Sequence, residues 1–96
     1  MSLMMKFNPG QLVVTRAVND LIAENEEFAK HVSQSLRRHL SGDWGELCDE
    51  DRVMNESALL EGDRLFSAYA KEGVPPIWII TEWDRSVTTV LFPNEY

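Results

Sequence analysis

Ile77-Trp78-Ile79-Ile80-Thr81, then Glu82-Trp83-Asp84-Arg85-Ser86, then Val87-Thr88-Thr89-Val90-Leu91-Phe92, is the stretch that decides the fold. Two runs rich in β-branched and aromatic residues flank a polar turn at Asp84-Arg85, and such runs read as the strands of a hairpin. Pro93 lacks a backbone N–H and ends the second strand. Working back, Arg64–Ala70 is a further strand candidate, joined to the hairpin through Lys71-Glu72-Gly73-Val74-Pro75. The C-terminal half is therefore expected to form an antiparallel meander. Both alternating faces of the hairpin are apolar: Ile77 and Ile79 against Trp78 and Ile80, and Val87 and Leu91 against Val90 and Phe92. A sheet with one wet face would alternate more cleanly. The second face is expected to be covered, by the N-terminal segment or by a second subunit in a homodimer.

Upstream the period changes from strand to helix. Gln11-Leu12-Val13-Val14-Thr15 follows the turn signal Asn8-Pro9-Gly10 and reads as a short first strand. Thr15 can cap a helix over Ala17–Glu24, with Val18, Leu21 and Ile22 on one face. Asn25 offers a second cap, and Phe28, Val32, Leu36 and Leu40 then form a core-facing stripe. His31 lies off that stripe and reads as an exposed or rim residue. Gly42 is a plausible stop. Asp49 is placed to cap a third helix over Glu50–Glu61, ended by Gly62. The expectation is an α+β fold: a short N-terminal strand and two to three helices packed on a three- to four-stranded antiparallel sheet.

Ninety-six residues fit one domain. Met1–Met5 is expected to be a leader, with the domain over 6–96. No apolar run approaches the roughly 18 residues that span a bilayer, so no membrane partner is expected. One cysteine, Cys48, cannot form an internal disulfide and suits a reducing cytoplasm. The net charge of -7 argues against a protein that grips nucleic-acid phosphates. The charge is uneven: between Asp43 and Asp63 the only base is Arg52, against Asp43, Glu46, Asp49, Glu50, Asp51, Glu56, Glu61 and Asp63. That block reads either as a solvated helix face or as a surface for a basic partner.

Chemistry-bearing residues are few. His39 stands where a helix meets the loop Ser41-Gly42-Asp43-Trp44-Gly45, and its ordinary pKa suits acid–base work. The competing reading is a helix-end histidine that bonds a free carbonyl or pairs with Asp43. Trp44 can stack on a ligand ring or close the edge of a core. Asp43 is a ligand candidate or a loop cap. Arg85 can hold an anion in its fork, with Thr88 and Thr89 adding hydroxyls. The plainer reading is a hairpin tip with a surface Asp84–Arg85 pair. Metal-ligand spacings are absent, so no metal or cofactor is expected.

Gly42-Asp43-Trp44-Gly45-Glu46-Leu47, Asp49-Glu50-Asp51, Asn55-Glu56, Arg64-Leu65-Phe66-Ser67-Ala68-Tyr69 and Ile77–Pro93 together resemble a group of small bacterial and plasmid-borne proteins. Some of these carry the label "plasmid-related protein", others a name borrowed from the modification subunit of type I restriction systems. The resemblance runs from Pro9 to the end. It implies a bacterial or mobile-element origin and no particular activity. A methyltransferase needs a glycine-bearing cofactor unit, and none is present here.

Three functions are compatible with these residues. The first is a non-enzymatic protein-interaction module, self-associating through its sheet. The second is a metal-independent ribonuclease of toxin type, with His39 as general acid or base, Arg64 and Arg85 on the phosphate, and Thr88 on a 2′-hydroxyl. The third is an acidic DNA mimic that blocks a restriction enzyme. The first asks least of the residues.

Overall fold

The computed structural model describes residues 5–96. The leader expected at Met1–Met5 lies, but for Met5, outside them. In chain order come β1 (Gln11–Val14), α1 (Arg16–Glu24), α2 (Glu26–Leu40), α3 (Asp49–Glu61), β2 (Leu65–Lys71), β3 (Val74–Thr81), β4 (Val87–Leu91) and a 3-10 turn (Pro93–Glu95). The fold is α+β, with three helices and a four-stranded sheet.

The helix-start signals at Thr15 and Asn25 act locally and hold, whereas Asp49 is not the cap of α3. The Thr15 hydroxyl accepts from Val18 N–H at 3.3 Å, and Asn25 Oδ1 accepts from Phe28 N–H at 3.1 Å. α3 begins one residue early. Cys48 occupies its N-cap position without a side-chain bond, and Asp49, Glu50 and Asp51 fill the first turn, where acids complement the dipole. Gly62 ends α3 in the left-handed region.

The meander is present as β2-β3-β4, but the sheet is mixed. Its order is β1-β4-β3-β2, and β1 runs parallel to β4, Leu12 beside Thr88 and Val14 beside Val90. Parallel neighbours need a long crossover. Here the crossover is everything between them, so β1 takes the edge opposite β2. The helices pack on the face carrying Tyr69, Ile77, Ile79 and Val90, where Val18, Phe28 and Val32 complete the core.

The buried stripe of α2 is rotated from the expected one. It includes His31, Ser35 and His39 as well as Phe28, Val32 and Leu40. His31 is 4% exposed rather than a rim residue; it packs against the Phe28 ring one turn earlier. Burial pushes its pKa down.

Among the described residues, the N-terminal segment does not cover the second sheet face. Lys6 N–H donates to Leu40 C=O at 2.9 Å, and Phe7 packs edge-on to His39. The second face carries an aromatic chain instead. Phe66 meets Trp78 at 5.0 Å, Trp78 meets Tyr96 at 5.6 Å, and Arg64 lies over the Tyr96 ring. The end of the chain thus supplies part of the cover.

Candidate functional site

The Gly42–Gly45 loop is built into the sheet. Gly45 bridges to Ala68 on the outer edge of β2: Ala68 N–H donates to Trp44 C=O, and Glu46 N–H donates to Ala68 C=O. Gly45 has φ +74, and a Cβ there would strike the Ala68 carbonyl and the Tyr69 ring. Glycine is required on both counts. Trp44 is 2% exposed and donates its indole N–H to Glu56 at 2.7 Å, so it closes the core. Asp43 takes a two-pronged bond from Arg38, at 2.8 and 3.2 Å, and accepts from Gly45 N–H. The Arg38 bonds hold the Asp43 carboxyl below its usual pKa. Asp43 is a loop clasp and does not pair with His39.

His39 is fully buried between the Phe7 and Trp44 rings, both edge-on to it. Its Nδ1 meets Ser67 Oγ at 2.5 Å and its Nε2 meets Thr81 Oγ1 at 2.9 Å. Thr81 Oγ1 lies 2.7 Å from Thr88 Oγ1, which donates to Pro9 C=O. A carbonyl only accepts, so the proton directions follow from that end. Thr88 gives its proton to Pro9, Thr81 gives to Thr88, His39 Nε2–H gives to Thr81, and Ser67 gives to Nδ1. The chain is complete with a neutral imidazole. Burial, with Arg85 nearby, pushes the His39 pKa down to about 3. At neutral pH this ring holds the sheet to α2 and meets no substrate.

The remaining nuclease candidates are also engaged. Thr88 is buried within that chain. Arg85, the one non-glycine residue with positive φ among those described, turns its guanidinium under α3. It donates to Ala58 C=O at 3.0 Å, Asp63 C=O at 2.6 Å and Glu82 C=O at 3.1 Å. A cation at a helix C-terminus satisfies exposed carbonyls and complements the dipole. The expected Asp84–Arg85 pair does not form; Asp84 accepts from Ser86 instead. Arg64 falls on the aromatic face, across the sheet from His39. The four residues therefore form no catalytic constellation, because each is spent on the fold or faces elsewhere.

What opens to solvent is a cleft of about 600 Å³ between α3 and the start of β2, lined by Asp51, Met54, Asn55, Ala58, Asp63, Arg64, Phe66 and Trp83. Along α3, Asp51, Met54, Asn55 and Ala58 sit at i, i+3, i+4 and i+7, one face of the helix. Asn55 fixes the floor. Its amide donates to Phe66 C=O at 2.5 Å and accepts from Phe66 N–H at 3.2 Å, standing in for a neighbouring strand. Met54 is 68% exposed and Trp83 66%. Of the lining residues, Trp83 belongs to the polar turn of the hairpin, and Met54 lies within the third helix. The signal available in the sequence is the spacing that sets Asp51, Met54, Asn55 and Ala58 on one helix face.

Among the described residues no cluster of His, Cys, Asp and Glu could hold a metal ion, and no helix is long and apolar enough to cross a membrane. Comparisons with protein-family models, curated proteins and solved structures gave no match.

Proposed function

We propose that this chain is a non-enzymatic protein-interaction module whose contact surface is the cleft between α3 and the β3–β4 hairpin. The observation that carries the reading is the exposure of Met54 and Trp83 on opposite sides of that concave, partly apolar surface. Val53 and Leu60 add exposed apolar area on the outer side of α3. Single exposed apolar residues are ordinary, but a cluster around a concavity marks a binding surface. Exposed Trp and Met are also favoured interface anchors.

The test compares proteins retained from host lysate by the immobilised wild-type chain and by a Met54→Ser/Trp83→Ser variant of equal melting temperature. The expected result is a set of proteins that the variant loses. Identical sets overturn the reading. Sedimentation of the purified chain shows whether the partner is a second copy.

A further inference from the structure

Resting on that reading, we infer that the cleft takes a cationic amphipathic segment, its apolar side on Met54, Phe66 and Trp83 and its lysines or arginines toward the acids of α3. The charge distribution selects this occupant. Asp51 and Asp63 line the cleft itself. Glu50 lies one turn before Met54 on α3, and Glu61 lies one turn after Ala58. Among the described residues, the ion pairs within 4.0 Å involve only Glu27 and Asp43 as acids. No acid of α3 therefore has an ion pair at that distance, and Glu56 instead accepts from the Trp44 indole.

The three bases near them are held by other groups: Arg85 lies under the end of α3, donating to the Ala58, Asp63 and Glu82 carbonyls. Arg52, the only base between Asp43 and Asp63, bends inward and donates to Gly45 C=O at 2.7 Å and Leu47 C=O at 3.1 Å. Arg64 lines the cleft but lays its guanidinium over the Tyr96 ring. At the floor the Asn55 amide is anchored to Phe66 by one donated and one accepted bond. An occupant therefore gains apolar burial at the centre and charge complementarity at the rim. The open indole of Trp83 offers a face on which a guanidinium can stack.

The probe is a fluorescein-labelled peptide alternating leucine with lysine and arginine, read by anisotropy, beside a counterpart with glutamate replacing each base. The cationic peptide is expected to bind, with affinity falling as salt rises. Asp51→Asn with Asp63→Asn should weaken it about fivefold or more. Trp83→Ser should weaken it about tenfold. Equal binding of both peptides, no binding of either, or an affinity indifferent to the Asn variants overturns the proposal. So does self-association of the chain that Trp83→Ser abolishes. If the cationic peptide fails while host proteins are still lost by the Met54→Ser/Trp83→Ser variant, the choice of partner is wrong and the interaction module stands.

Discussion

Around His39 every polar atom finds its partner inside the fold, whereas around Trp83 the side chains face water. The first region has the residue types of an active site: a histidine, a serine and two threonines, with an arginine close by. The second has no histidine, serine or threonine among its lining residues. Yet the first is closed, with a neutral ring held by two hydroxyls, and only the second can be reached by another molecule. Residue type names a chemistry, but exposure and unsatisfied bonding capacity decide whether it is available. The polar set at His39 works as a jointed core and orders α2 against β2, β3 and β4.

The sharpest way to break this contrast is to cut each region and compare the losses. His39→Ala removes a packed ring and strands the Ser67 and Thr81 hydroxyls, at an expected cost of about 3–5 kcal/mol. Urea titration measures it, and a loss under 1 kcal/mol would place the histidine outside the framework. Lowering the pH attacks the same joint more gradually. The folded His39 pKa is near 3, against 6.5 for an unperturbed ring. Between those values the unfolded chain binds a proton that the folded one refuses. Stability is therefore full above about pH 6.5 and falls by about 1.4 kcal/mol per pH unit on acidification toward 3. His31, also pushed down, adds in the same direction. Denaturation curves at a series of pH values test the sign; a stability flat between pH 6.5 and 4 contradicts the neutral, buried ring.

Between the two regions stands Asn55, which floors the cleft while bonding the edge of β2. Asn55→Ala leaves Phe66 N–H and C=O without partners and should cost about 1–3 kcal/mol, read as a lowered melting temperature. It should also promote association, because an uncovered strand edge is a template for pairing. At the bottom of the scale, Trp83→Ser should change folding stability by under about 0.5 kcal/mol. A loss comparable to that of His39→Ala would make Trp83 a framework residue and remove the contrast.

The helices were legible in the sequence because their signals are local. Thr15 and Asn25 bond N–H groups three residues on, and Gly62 ends α3 where its neighbours predict. The parallel seat of β1 was not legible, since it joins Gln11 to Val87 and nothing near Gln11 specifies that neighbour. The fate of His39 was hidden for the same reason. Its partners lie 28 and 42 residues away, and a histidine beside two arginines reads as polar surface until Ser67 and Thr81 are brought under it. Trp44 was easier, because an indole between two glycines has much area to bury and little room to leave. Arg85 misled through its type: the fork that suits a phosphate suits backbone carbonyls equally well.

The parallel seating of β1 against β4 also dictates an order of events during synthesis. β4 is the only bridge between β1 and the β2–β3 hairpin, so the sheet stays in two pieces until Val87–Leu91 has left the ribosome. α1 and α2 are made early but lack the platform on which Phe28 and Val32 come to rest. Until β4 emerges the nascent chain carries a sticky, half-clothed pair of helices, and the sheet then closes in one step. Truncation before β4 should therefore yield a chain that holdase chaperones retain, rather than a smaller stable domain.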